Sequence, residues 1–266
     1  MPKIPKEHLD SIATIFAKKD YVAKPAGTAF LLSYKDDFAS DETVYLITCF
    51  HCGKDEATKI VFKTGETIPF DKGAWKADPA GNDVIARDVT DLLPDEIKKC
   101  NFPTLSNHVR NFPSHSRNSE VGDEIYMLGL HVPEAPEKAI TPRARFGNIS
   151  AWASENELVE QGHEQRLPSH IGDMRSRPGF SGSPVFTITD TLDWNDSPSP
   201  TLLGVHSAQF AENITVRSNG ENWPAWAPSS MTVIVPAWVL SFIVEDREFR
   251  ALRDQRLWNL NESVVK

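Results

Sequence analysis

Apolar positions along the chain fall mostly into short blocks rich in Val, Ile, Phe, Thr and Tyr, separated by clusters of Gly, Pro, Asn and Asp. Blocks of that length suit the half-buried, pleated surface of a β-strand better than the 3.6-residue period of a helix. The strands predicted are 27–34 (GTAFLLSY), 43–49 (TVYLITC), 59–63 (KIVFK), 83–89 (DVIARDV), 124–130 (EIYMLGL), 145–151 (RFGNISA), 184–189 (PVFTIT) and 201–208 (TLLGVHSA). Many brief strands with turn signals between them predict an all-β barrel or sandwich.

Helical spacing is confined to the two ends. Leu9, Ile12, Ala13 and Phe16 predict a helical extension over 1–20. Near the other end, Val239, Leu240, Ile243 and Val244 share one face after Pro236, a residue suited to a first helical turn, and predict a C-terminal helix and tail over 236–266. The segment 91–120 is rich in Pro and Asn and divides the strand-rich chain into halves at 21–90 and 121–235. Segments 190–200 and 211–230, with Pro, Ser, Asn and Trp, read as surface loops.

Charge then narrows the function classes. Asp and Glu number 37 against 28 Lys and Arg, a net charge of −9, and basic residues never run beyond a dipeptide. A nucleic-acid partner is not expected, because phosphate binding needs clustered cations. Acidic residues interrupt the first 20 positions, so no signal-peptide core is expected there. The longest uncharged apolar stretch, Met231 to Val244, is short of the about 20 residues that span a bilayer, and no membrane partner is expected. Three cysteines, at 49, 52 and 100, do not make a disulfide framework and point to a reducing, cytoplasmic setting.

Three segments carry candidate chemistry. Gly179-Phe-Ser-Gly182 stands just before a strand, where glycines permit the tight turn that exposes a nucleophilic serine and aims backbone N–H groups at an oxyanion. Val44 to Gly53 is an apolar strand ending in His51, a placement suited to a general base, and equally an ordinary half-buried histidine. Asp83 opens an apolar strand after the Pro79-Ala-Gly-Asn turn, where a desolvated carboxylate orients an imidazole; Asp78 and Asp88 compete with it as simple turn and strand residues.

Together the segments resemble the trypsin-like, chymotrypsin-fold serine peptidases over roughly residues 27–245. Ile47-Thr-Cys-Phe-His-Cys is similar to that family's Thr-Ala-Ala-His-Cys block, Asp83-Val-Ile-Ala to Asp-Ile-Ala-Leu, and Gly179-Phe-Ser-Gly-Ser-Pro-Val to Gly-Asp-Ser-Gly-Gly-Pro-Val. The chain order His51, Asp83, Ser181 is that of chymotrypsin and not of subtilisin. The resemblance implies two six-stranded antiparallel barrels, a first holding His51 and Asp83 and a second holding Ser181. It also implies hydrolysis of peptide bonds through an acyl-enzyme without a cofactor, and an oxyanion hole from the N–H groups of Gly179 and Ser181. Ser183 is the rival nucleophile, at a position where the family carries glycine. Phe180 replaces the aspartate of zymogen-activated members.

The same resemblance implies a substrate pocket built from Arg175, Ser176, His206, Ser207, Ala208 and Gln209. His206 stands where glutamate-specific endopeptidases of the staphylococcal type carry a histidine, which implies cleavage after Glu, or Gln. The substrate is then a protein or peptide, and control is expected from a regulatory protein partner or from loops 90–120 and 211–230. Two other readings remain. Cys49, His51, Cys52 and Cys100 make a zinc set, disfavoured because neighbours 51 and 52 on a strand would face opposite ways. An inactive peptidase-fold module that binds peptides is the other.

Overall fold

The computed structural model describes residues 4–19, 22–35, 42–53, 57–105, 119–130, 141–188, 200–218 and 220–264. After a short helix, α1 (Lys6–Asp10), the first sheet is built from β1 (Ile12–Lys19), β2 (Val22–Lys35), β3 (Glu42–Thr48), β4 (Ala57–Phe62), β5 (Thr67–Pro69), β6 (Lys76–Ala77) and β7 (Ile85–Asp88). One helical turn, α2 (Phe50–Gly53), follows β3, and another, α3 (Asp95–Lys98), follows β7. The second half comprises β8 (Glu124–Gly129), β9 (Arg143–Ala151), the hairpin β10 (Leu158–Glu160) and β11 (Arg166–Pro168), β12 (His170–Asp173), β13 (Pro184–Thr187), β14 (Thr201–Ser218) and β15 (Glu221–Pro236). Helices α4 (Trp238–Val244) and α5 (Arg247–Val264) close the chain.

The all-β, two-barrel class expected from the sequence is the one adopted. The second unit closes as a six-stranded barrel in the order β12-β15-β14-β13-β8-β9, and the first is a seven-stranded antiparallel sheet ordered β5-β4-β1-β2-β3-β7-β6. Strand alternation assigns the faces. Ile125 and Met127 of β8 fill the second barrel with Ile149, Met174, Phe180, Val185, Leu203 and Ile234. Their neighbours Tyr126 and Leu128 turn outward into the larger cluster that also holds Phe30, Leu46, Ile60 and Leu240.

Three expectations change. Ile12–Lys19 is a strand and not part of a helix. Ile12 through Phe16 are all buried, and a continuous apolar run carries no period that separates helix from buried strand. β1 sits inside the sheet between β4 and β2, with Ala13 opposite both Phe62 and Ala29. The 211–230 segment is not a loop: β14 and β15 continue beyond the barrel as a ribbon paired out to Ser218 and Glu221. Its Pro224 and Pro228 disguise it, because prolines are tolerated where a strand has an unpaired edge. The expected tail beyond α4 is a helix, α5, held by charge more than by an apolar stripe. Its Arg253 donates to Tyr45 Oη and the Val244 carbonyl, each at 2.6 Å, and its Arg256 forks onto Asp88 at 2.8 and 3.0 Å.

The expected helix face of α4 is present, with Val239, Leu240, Ile243 and Val244 buried. Residues 106–118 of the 91–120 connection and most of the 190–200 loop lie outside the described residues; the described first half of the connection holds α3, and its Pro103 and Leu105 bond to Ser33 of β2. Among the described residues, no helix is long and apolar enough to cross a membrane.

Candidate active site

β3 delivers the chain to the rim between the two halves, and the α2 turn then swings His51 back toward the start of β7. The turn Asp78–Asn82 presents Asp83 to it, with Gly81 at φ +86°, a conformation that favours glycine. His51 Nδ1 lies 2.7 Å from Asp83 Oδ2, and the His51 N–H donates to Asp83 Oδ1 at 3.0 Å. The Ser207 hydroxyl, from β14 in the other half, donates to Asp83 Oδ2 at 2.6 Å. Asp83 is fully buried. Burial alone would raise its pKa, but the His51 hydrogen bond and charge, with Ser207, outweigh that and hold the carboxyl below its ordinary range.

The competing aspartates are engaged elsewhere. Asp78 accepts from the backbone and side-chain amides of Asn82 at 3.1 and 2.7 Å, and Asp88 is taken by Arg256. His51 is pulled two ways: burial disfavours its charged form, while Asp83 and then Cys52 favour it and raise the pKa to about 10.

Facing this pair is the turn 179–182. Gly179 and Gly182 have φ of +99° and +87°. A Cβ on Gly182 would stand 2.1 Å from the Thr28 carbonyl, so the turn is pressed against β2. Thr28 fastens it: its N–H donates to the Ser181 carbonyl at 2.8 Å and its hydroxyl to the Gly179 carbonyl at 2.6 Å. Phe180 anchors the turn, fully buried in the second barrel. The N–H groups of Phe180, Gly182 and Ser183 donate to backbone carbonyls, whereas those of Gly179 and Ser181 donate to no backbone carbonyl among the described residues. Ser183 is fully buried and its hydroxyl has no partner among the described residues, so a substrate cannot reach it.

The structure connects Ser181 to His51 only through the Cys52 sulfur, which lies between the Ser181 carbonyl and the ring, and the Ser181 hydroxyl makes no hydrogen bond to His51. His51 Nε2 faces the Cys52 thiol at 3.5 Å, and that sulfur is 3.8 Å from the Ser181 carbonyl. Hydrogen bonding from Cys49, then from His51, draws the Cys52 thiol down to about 6 against the opposing effect of burial. A nucleophile–base hydrogen bond of this kind commonly forms only when substrate binds.

Of the expected pocket residues, Ser176 and His206 meet: Ser176 Oγ is 2.7 Å from His206 Nε2. On the other side of the ring, Thr232 Oγ1 is 2.6 Å from His206 Nδ1. Because the Thr232 hydroxyl donates to the Ala208 carbonyl at 3.2 Å, it accepts from His206 Nδ1–H, and Nε2 accepts from Ser176. Burial pushes His206 down to about 4, so the ring is neutral. Gln209 bonds the Ser229 carbonyl, Ser207 serves Asp83, and Arg175 stays exposed outside this chain of hydroxyls.

Sequence reasoning missed Thr232 and the segment 161–163. Gln161 accepts from the Asp83 N–H at 2.7 Å and donates to Asn82 and Ser169, and the Gly162 N–H donates to Ser207 Oγ at 2.9 Å. His163 donates through Nε2 to the Gly81 carbonyl, leaving Nδ1 4.0 Å from Asp83. No local pattern announces a clamp of this kind, whose residues lie some eighty positions from the aspartate they hold.

No family model and no curated protein matches this chain. Solved structures that resemble it include the active form of the Rv3671c protease from M. tuberculosis, at 12% identity and a TM-score of 0.46, covering 89% of this chain and 80% of that one. The inactive form of a serine-to-alanine mutant of Rv3671c also matches, at 12% identity and a TM-score of 0.47, with 89% and 85% covered.

A Cβ on Gly162 would sit 2.7 Å from His51 Nδ1 and 2.9 Å from Asp83 Oδ2. Gly162→Ala is therefore expected to separate the imidazole from the carboxylate. Nuclear magnetic resonance should show loss of the downfield Nδ1–H proton of His51 while the dispersed amide spectrum of the folded chain remains.

Proposed function

We propose that this protein is a serine endopeptidase whose nucleophile is Ser181, with His51 as general base and Asp83 as its orienting partner. The observation that carries the reading is the fully buried Asp83 carboxylate taking hydrogen bonds from both the ring and the backbone of His51, beside a turn whose Gly179 and Ser181 N–H groups are claimed by no described residue. In the reaction, the Ser181 hydroxyl attacks the scissile carbonyl as its proton moves to His51 Nε2. The oxyanion is met by the two free N–H groups, and His51 returns the proton to the leaving amine. Water then repeats the sequence on the acyl-enzyme. The substrate is a protein or peptide, with no cofactor or nucleic acid taking part. The free thiols at 49, 52 and 100 fit a reducing compartment such as the cytoplasm.

The Ser176–His206–Thr232 chain supports a preference for Glu before the scissile bond. With His206 neutral, the Ser176 hydrogen is committed to Nε2. A substrate carboxylate favours proton uptake by His206, after which Nε2–H donates to Ser176 and the serine hydroxyl turns to the substrate. Gln gains less, because an amide oxygen does not stabilise the imidazolium as a carboxylate does.

Turnover of a peptide library tests the reaction. Ser181→Ala is expected to lower kcat by on the order of 10⁶ and Ser183→Ala to keep the wild-type rate, a difference that disappears if Ser181 is not the nucleophile. In the same library His206→Ala is expected to remove the advantage of Glu over Leu and Ala; an unchanged profile would refute the pocket assignment. The pH profile tests the base. Only unprotonated His51 accepts a proton, so with its pKa raised to about 10 the rate should climb with pH well above the ordinary 6.5. Cys52→Ala removes one of the two groups holding the proton on, and the acid limb should move down in pH.

A further inference from the structure

Two buried cysteines lie against His51 with no part in peptide hydrolysis. The objection to a metal at this place was that residues 51 and 52 on a strand face apart, but Phe50–Gly53 is a helical turn, and His51 Nε2 and Cys52 Sγ face each other at 3.5 Å. Zinc bound to sulfur at about 2.3 Å and to nitrogen at about 2.0 Å, with tetrahedral angles, sets its two donors roughly 3.5 Å apart. Cys49 lies in the same cluster: its sulfur, one ring nitrogen of His51 and an Asp83 carboxylate oxygen all lie within 4.8 Å of one another, which makes it the candidate for a third donor.

The histidine is already held as a zinc ligand requires. Asp83 holds Nδ1, which orients the ring and makes Nε2 the nitrogen that faces a metal once its proton is lost, the role outer carboxylates play in zinc sites. Both sulfurs are buried, while the His51 side chain keeps 24% exposure, so an ion has an approach along the ring edge. Cys100 has no share in the cluster; its thiol sits on the Glu96 carbonyl at the end of α3.

We propose that Cys52 Sγ and His51 Nε2 bind a zinc ion, with Cys49 as the third protein donor and water completing the coordination, and that the bound ion inhibits the enzyme. On binding, the one proton shared by the Cys52–His51 pair and the thiol proton of Cys49 are released to solvent, and the Nε2 lone pair is committed to the metal. His51 then has no site for the Ser181 proton. The inhibition rests on the peptidase reading; the binding does not.

Metal-free protein is titrated with zinc against a chromogenic chelator, and separately with cobalt(II), for wild type and for Cys52→Ala, Cys49→Ala and Cys100→Ala. Stoichiometric zinc binding is expected for wild type and Cys100→Ala, with a thiolate-to-cobalt charge-transfer band, and loss of both in Cys52→Ala. Weaker binding in Cys49→Ala would support that residue as the third donor. Peptide turnover by wild type should stop at saturating zinc, while Cys52→Ala keeps its own metal-free rate. A wild-type cobalt complex without the thiolate band overturns the site even if Cys52→Ala fails to fold, as does zinc binding unchanged in that variant. Stoichiometric binding in a chain that hydrolyses no peptide would uphold the site and refute the peptidase reading alone.

Discussion

A carboxylate with no solvent exposure is the constraint on which the site depends. An ionised Asp83 removed from water is stable only because its oxygens are claimed by the His51 ring, the His51 backbone and the Ser207 hydroxyl. Those donors come from both halves of the molecule: His51 from the turn after β3, Ser207 from β14. Satisfying one buried charge therefore fixes the position of the second barrel against the first sheet. The 161–163 segment completes the arrangement, with Gln161 on the Asp83 N–H and Gly162 on Ser207, so the groups around the charge are themselves oriented by hydrogen bonds.

The serine turn is positioned by a separate device, close approach of backbones. Gly182 leaves no space for a side chain against Thr28 and Thr48, and Thr28 ties both ends of the turn. Phe180 then roots it in the second barrel. The two elements approach at Cys52, whose sulfur lies between His51 Nε2 and the Ser181 carbonyl. Thiols at this meeting point give it a second chemical character, because Cys52 faces the ring nitrogen that proton transfer would use.

Much of this was legible from the sequence because strands and tight turns leave local signatures. Each of the eight strand blocks overlaps an observed strand, though Asp83 lies just before β7 and not in it, and the glycines of 179–182 stand at positive φ as their spacing implied. His51 and Asp83, 32 positions apart, are joined as the motif order indicates. What escaped reading depends on non-local contact. Ile12 through Phe16 are buried on both faces of the sheet, which conceals the strand's two-residue period. α5 docks through Arg253 and Arg256, so no hydrophobic stripe marks it. The 161–163 clamp and Thr232 act through hydrogen bonds to distant partners, and the α2 turn that brings Cys52 to His51 is a single helical turn, too short to carry a pattern.

The most direct test is to treat the folded chain with a fluorophosphonate and locate the adduct by mass spectrometry. A single adduct on Ser181, abolished in Asp83→Asn, is the expected result. Labelling at Ser183, or no adduct in a chain whose amide spectrum shows it to be folded, would contradict the assignment of Ser181 as an activated nucleophile.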